Sequence, residues 1–352
     1  MFDLNNLVRE NVKKLVPYSS ARDEFTGEAS VFLDANENSI GSPLPVAYNR
    51  YPDPHQHKIK AKLNEIKGIP ADNIFLGNGS DECIDILFRV FCDPGKDNVI
   101  INPPTYGMYE VSANINDVAV RKINLTPAFQ PDLQAIEAAI DDHTKMIFLC
   151  SPNNPTGNSL DAVLVETILN NYFGIVVIDE AYINFSRFRS MSQQLNEYPN
   201  LVILQTLSKA WGLAGLRLGM AFASTEIIGM MNKVKPPYNI SQAAQTLVLE
   251  ALDNVAVVNS YTKELVELRV ELVKKLEQIP FIQMVYPSDA NFLLVKVADP
   301  VRMYKHLLHY AIVVRDRSRV ELCEGCLRIT VGTPDENDQL LRAIAAFATL
   351  PE

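Results

Sequence analysis

Thr206-Leu207-Ser208-Lys209-Ala210-Trp211-Gly212-Leu213-Ala214-Gly215-Leu216-Arg217 follows directly on the apolar run 201–204. Such a run reads as a buried strand, so two hydroxyls, an amine and a guanidinium emerge where that strand ends. A lysine in this setting can form an imine with an aldehyde cofactor, and Thr206, Ser208 and Arg217 can hold a phosphate on the same cofactor. An unperturbed lysine is only about one part in a few thousand neutral at pH 7. A reactive Lys209 therefore requires desolvation or a neighbouring positive charge, for which Arg217 is the candidate. Alone, the stretch reads equally well as a surface lysine after a strand.

Four other segments stand in similar places. Asp179-Glu180-Ala181-Tyr182 follows the apolar run 175–178. Asp179 suits a protonated pyridine nitrogen and Tyr182 a ring hydroxylate; a metal ligand or a helix cap is the competing reading. Ser151-Pro152-Asn153-Asn154-Pro155-Thr156-Gly157 follows the run 146–150. It is either a plain loop or a rigid one whose flanking prolines aim the Asn154 amide at a polar ring substituent. Leu76-Gly77-Asn78-Gly79-Ser80-Asp81-Glu82 precedes the helical stretch 84–90. Gly79, Ser80 and Asp81 thus form a turn into a helix N-terminus, where free backbone N–H groups face phosphate, unless Ser80 or Asp81 caps the helix. Its spacing is neither that of a nucleotide P-loop nor that of a dinucleotide fingerprint. Pro103-Pro104-Thr105-Tyr106-Gly107 follows the run 99–101, and Tyr106 is a ring to stack on a cofactor or a core tyrosine.

The runs 99–101, 118–120, 146–149, 175–178 and 201–204 alternate with amphipathic stretches such as 132–140 and 161–169. That alternation predicts an α/β domain with a largely parallel sheet, whose ligands gather at the carboxyl ends of the strands. A helix over 255–276, preceded by a shorter one over 241–252, leads into a smaller α+β region with strands at 292–297, 312–314 and 327–331 and a helix at 300–310. The first thirty residues are polar and weakly periodic, an arm expected to pack elsewhere. The expected division is an arm over 1–30, a large domain over 31–253 and a small domain over 254–352.

The 352 residues carry a formal net charge of −10, which argues against nucleic-acid or anionic-membrane partners. No run approaches the roughly 20 apolar residues of a membrane span, and charged residues interrupt the first twenty, unlike a signal peptide. Cys83, Cys92, Cys150, Cys323 and Cys326 form an odd, scattered set that suits a reducing, cytoplasmic compartment. Cys323-x-x-Cys326 and His306-x-x-His309 lack the further ligands of a metal site, so no metal is expected. All five histidines fall outside the segments above and are expected at the surface.

The order and placement of the five segments closely resemble fold-type I pyridoxal-phosphate aminotransferases over nearly the whole chain. The resemblance implies a three-layer αβα large domain with a smaller α+β domain, pyridoxal 5'-phosphate as cofactor, Lys209 as its imine lysine and Arg217 as its phosphate arginine. Val16-Pro17-Tyr18-Ser19-Ser20-Ala21-Arg22, Leu33-Asp34-Ala35-Asn36-Glu37-Asn38, Arg50-Tyr51-Pro52-Asp53, Val314-Arg315-Asp316-Arg317 and Cys326-Leu327-Arg328-Ile329-Thr330-Val331-Gly332 are similar, more narrowly, to the histidinol-phosphate aminotransferase family. That resemblance implies a homodimer in which Tyr51 reaches the cofactor phosphate of the neighbouring subunit. It also implies that Tyr18, Asn36, Arg315 and Arg328 bind substrate, with Arg328 clamping the α-carboxylate of glutamate. A phosphate in place of a carboxylate rewards a second arginine; the alternative for Arg315 and Arg328 is a structural ion pair. The implied reaction passes the amino group of histidinol phosphate to 2-oxoglutarate, giving imidazole acetol phosphate and glutamate in histidine biosynthesis, with Lys209 as anchor and acid-base. A threonine-phosphate decarboxylase, an aromatic or broad amino-acid aminotransferase and a cofactor-binding regulator are the alternatives, the last lacking a basic patch.

Overall fold

The structure is a computed structural model that describes residues 2–19 and 29–347. Seven strands, β1 (Ile74–Asn78), β2 (Asn98–Ile101), β3 (Ala119–Lys122), β4 (Thr144–Cys150), β5 (Ile175–Asp179), β6 (Leu201–Thr206) and β7 (Leu218–Phe222), form one sheet in the order β1-β7-β6-β5-β4-β2-β3. Both faces are covered, which is why the inner strands read as unbroken apolar runs. Along β5, Val176 and Ile178 enter one core while Val177 enters the other. The helices His57–Lys67, Ala162–Asn171 and Gln242–Leu252 lie on the first face, and Ser80–Phe91 and Thr225–Val234 on the second. The architecture is a three-layer αβα sandwich.

Pairing is parallel from β3 through β2, β4 and β5 to β6, and antiparallel where β7 meets β6 and β1. The exception has a simple cause. Residues 207–217 hold one short 3-10 turn, Ala214–Leu216, and a parallel return needs a crossover of about a dozen or more residues, usually with a helix. The chain therefore turns straight back, and the Lys209 loop is the turn. Side-chain caps start several of the expected helices: Asp132 accepts from the Ala135 N–H at 3.0 Å, Asp161 from Val163 at 2.8 Å, and Asp299 from Arg302 at 2.9 Å with Pro300 behind it.

The helix Val255–Leu276 contributes Val258 to the core of the first sheet and Leu272 and Leu276 to that of a second. The second sheet is antiparallel throughout, with β8 (Ile282–Val285), β9 (Phe292–Val297), β10 (Arg315–Asp316) and β11 (Cys326–Thr330) in the order β10-β11-β9-β8. Helices Pro300–His309 and Pro334–Phe347 complete its core. The strand expected at 312–314 is displaced to β10: Ile312 and Val314 pack on the core, whereas ladder pairing begins at the charged Arg315.

Two expectations are corrected. The arm packs, in its first part, on its own chain: Val8 and Val12 are buried in the second-face core, and Arg9 bonds Asp93 at 3.0 Å and the Val90 carbonyl at 3.1 Å. Beyond it Val16 and Tyr18 are exposed; Ser20, Ala21 and Arg22 lie outside the described residues. Of the histidines, His306 is buried, with Nε2 2.7 Å from the Ala343 carbonyl and its ring against Tyr310 and Phe347. The other four are exposed. Among the described residues no helix is long and apolar enough to cross a membrane.

One close approach sets the position of the Gly-rich turn. A Cβ on Gly219 of β7 would lie 2.1 Å from the Ser80 nitrogen and 2.3 Å from the Gly79 carbonyl carbon, both backbone atoms with little freedom to move. Gly219→Ala is therefore expected to destabilise the cofactor-free protein by about 1–3 kcal/mol through overpacking, read as a lowered thermal midpoint. An unchanged midpoint would show that the turn is not held against β7.

Candidate active site

A cavity of about 620 Å³ opens where the carboxyl ends of β4, β5 and β6 face the β10–β11 edge of the second sheet. It is lined by residues of all five sequence segments: Ser80 and Asp81, Tyr106, Asn154, Asp179 and Tyr182, and Thr206, Ser208, Lys209 and Arg217. Arg315 and Arg328 line it from the second sheet. Gly79, Tyr18, Asn36 and Tyr51 do not. Gly79 supports it indirectly, at φ +80, because a Cβ there would lie 2.6 Å from an Arg217 guanidinium nitrogen. Tyr18 and Tyr51 are exposed, Tyr51 stacking on the Tyr238 ring at 4.4 Å. Asn36 is also exposed, in the left-handed region at φ 54.

At one end, helix Ser80–Phe91 begins at Ser80 with Gly79 before it and no side-chain cap. The capping alternative for Ser80 and Asp81 is therefore ruled out, and the first-turn N–H groups have no intrahelical partner. Arg217 adopts φ 54, bringing its guanidinium within 3.4 Å of Ser208 Oγ and 3.5 Å of Asp81. The Thr206 hydroxyl donates to Ser208 Oγ at 3.0 Å and accepts from the Ser208 N–H at 3.1 Å. Backbone N–H groups, two hydroxyls and a guanidinium in one place are a phosphate donor set. Tyr106 donates to Asp81 at 3.0 Å, which anchors its ring at the cavity wall.

Asp179 ends β5 in the middle of the sheet and is 3% exposed. Its carboxylate accepts from Tyr109 Oη at 2.8 Å and from the Ala181 N–H at 3.0 Å. Burial pushes its pKa up, against the lowering effect of these two bonds. Tyr182 is buried and burial likewise raises its phenol pKa.

The Lys209 amine lies over the Tyr182 ring, 5.5 Å from its centroid. The side chain is exposed to the open cavity, yet its pKa is lowered, first by partial desolvation at the cavity wall, then by the charge of Arg328, and least by Arg217. The sequence nominated Arg217 for this effect; the structure gives desolvation and Arg328 the larger share. Arg328 donates to Asn154 Oδ1 and lies 5.3 Å from the Phe292 ring centroid. The loop that presents Asn154 is tied down by its neighbour: Asn153 donates to the Pro104 carbonyl at 2.8 Å and to Thr156 Oγ1 at 2.7 Å. The set fits a phosphorylated pyridine aldehyde, with phosphate donors, a buried carboxylate suited to a ring cation and an amine of lowered pKa.

Tyr109 and Arg317 carry functional geometry that the sequence reading did not assign. Tyr109 stands three residues after Tyr106 at the start of helix Met108–Ile115, and Arg317 two after Arg315 on an extended segment. These spacings were the available signals.

Residues 39–344 match the model of the aminotransferase class I and II family. Histidinol-phosphate aminotransferase of Parabacteroides distasonis is 57% identical over 344 residues, 98% of this chain and 99% of the relative. The chain belongs to the histidinol-phosphate aminotransferase family. The structure of histidinol-phosphate aminotransferase from Sinorhizobium meliloti in complex with pyridoxal-5'-phosphate superposes with a TM-score of 0.78 at 22% identity, covering 89% of this chain and 90% of that one. The L-threonine-O-3-phosphate decarboxylase of Porphyromonas gingivalis superposes with a TM-score of 0.73 at 21% identity, over 86% and 92%. At these identities both likenesses concern the fold alone.

For this aminotransferase the causes acting on Lys209 make a testable order. In cofactor-free protein, the pH profile of Lys209 modification by an amine-selective reagent should have its inflection below the ordinary lysine value. Arg328→Met removes the like charge with the larger effect and should move the inflection up; Arg217→Met should move it less. The reverse order would contradict the electrostatics described.

Proposed function

We propose that the chain catalyses transfer of the amino group of histidinol phosphate to 2-oxoglutarate, giving imidazole acetol phosphate and glutamate, with pyridoxal 5'-phosphate as cofactor. The observation that carries this reading is one cavity holding a buried carboxylate, a lysine amine of lowered pKa and two arginines on its opposite wall, in a member of this family. When bound, pyridoxal phosphate supplies an aldehyde that captures amines and a ring that accommodates the electron pair left by a departing α-proton. Asp179 holds the proton on the pyridine nitrogen. Ser80, Asp81 and Gly79 through their backbone, Thr206 and Ser208 through their hydroxyls and Arg217 through its guanidinium bind the phosphate. Tyr106 packs on the ring, and Asn154 and Tyr182 orient it through its oxygen substituent.

Lys209 Nζ first holds the cofactor and then, freed by the incoming substrate, takes and redelivers the substrate's α-proton. A lowered amine pKa serves this role because the neutral form is the base. Arg328 binds the substrate's anionic end, phosphate in one half-reaction and the glutamate α-carboxylate in the other. Arg315, Tyr18 and Asn36 complete that site. Since Tyr18, Asn36 and Tyr51 lie outside this chain's own cavity, the active unit is a homodimer in which Tyr51 enters the neighbouring site. Exposed Val31, Leu33, Ile40, Leu44 and Val46 on the same stretch are apolar surface suited to such an interface. Five free thiols suit a cytoplasmic enzyme.

Purified enzyme saturated with cofactor should form glutamate from histidinol phosphate and 2-oxoglutarate. Lys209→Ala should lose at least about 10²- to 10⁴-fold in rate, the typical share of general acid-base catalysis, and lose the wild-type visible absorption band. Absence of glutamate formation, or carbon dioxide release from phosphothreonine in its place, would overturn the substrate assignment. Turnover of phenylalanine as fast as histidinol phosphate would instead indicate a broad amino-acid aminotransferase.

A further inference from the structure

Arg315 stands directly across the β10–β11 ladder from Arg328, and Arg317 follows Arg315 by the two-residue repeat that returns a side chain to the same face of an extended chain. All three line the cavity. Like charges directly opposed on an antiparallel pair destabilise it, and the nearby carboxylates are engaged elsewhere: Asp81 by Tyr106 and Arg217, Asp179 by Tyr109, and Asp316 by the Ser318 N–H at 2.8 Å. Arg328 has a neutral acceptor in Asn154. Arg317 Nε is shut off from water and has no acceptor. Burial, followed by the charges of Arg328 and Arg315, lowers the Arg317 pKa. A guanidinium held in this way, on a wall that already carries two like charges, is matched by an anion bearing more than one charge.

We infer that Arg317 is a third arginine of the substrate-anion site and sets the enzyme's preference for a phosphate monoester over a carboxylate. The inference rests on the proposed reaction and deepens it. A phosphate monoester carries about −1.5 to −2 charge at pH 7 and three acceptor oxygens, against one charge and two oxygens for a carboxylate. Arg328 and Arg315 suffice for the carboxylate. The third oxygen and the second charge are what Arg317 meets.

The test compares Arg317→Gln, which keeps a polar side chain without the charge, with Arg317→Lys, which keeps the charge without the planar fork. Arg317→Gln should raise KM for histidinol phosphate about ten-fold more than KM for glutamate, the loss expected of one charge-assisted contact; Arg317→Lys should fall between it and wild type. Calorimetric titration of the cofactor-saturated enzyme with inorganic phosphate should show the same order. Equal shifts in both KM values would mark Arg317 as structural, and unchanged phosphate affinity would remove it from the anion site. Either result overturns the inference. Wild-type enzyme that ignores histidinol phosphate yet binds inorganic phosphate through Arg317 would refute the substrate assignment and leave the anion site standing. Normal wild-type turnover with an indistinguishable Arg317→Gln would do the opposite.

Discussion

The carboxylate of Asp179 sits at the end of the central strand of a sheet covered on both faces, almost wholly buried at the cavity floor and with two hydrogen bonds to offset its burial. Removing an ion from water costs several kcal/mol even after the protein relaxes. Tyr109 and the Ala181 N–H recover part of that, but the direction of the Asp179 pKa shift says that the charged form is still disfavoured. The fold thus maintains an acid whose ionised form needs a cation. A protonated ring nitrogen would meet that need, and the other groups in the cavity stand where they can hold the rest of such a ring.

Their positions depend on backbone packing more than on any single side chain. Gly219 lets β7 touch the Gly79-Ser80 turn, Gly79 leaves room for the Arg217 head, and Arg217 lies at the end of the short return from β6 that also carries Lys209. From the other sheet Arg328 acts on two of these groups at once, donating to Asn154 and holding the Lys209 pKa down by its charge. The two sheets are therefore coupled electrostatically across the cavity. An anion that neutralised Arg328 would raise the Lys209 pKa.

Much of the large sheet was legible because fully covered strands must be apolar on both sides; β5 and β6 could be read from composition alone. Helix starts were legible where Asp or Ser caps them, and Val255–Leu276 was read to the residue. β7 escaped notice because its first residues pair a charged turn with Gly219, whose purpose is a contact with a turn 140 positions earlier in the chain. The five strand-end segments each carried an alternative, and what sequence could not show is that their residues line one cavity. Tyr109 was invisible because its partner is 70 residues away in sequence. Arg317 needed the register of β10 against β11, which no local pattern supplies. The source of the Lys209 shift is only partly legible in sequence for a related reason: desolvation and Arg217 do lower it, but Arg328, distant in sequence, has the larger effect of the two charges.

The central claim is that burial disfavours the Asp179 carboxylate in the empty protein and that a bound cation offsets this, and Asp179→Asn tests it most directly through two quantities measured on one variant. The cofactor-free variant should melt at a higher temperature than wild type, since a neutral amide of the same shape relieves the buried charge, while its equilibrium affinity for pyridoxal phosphate falls. A variant that melts lower and binds the cofactor as tightly as wild type would contradict the account.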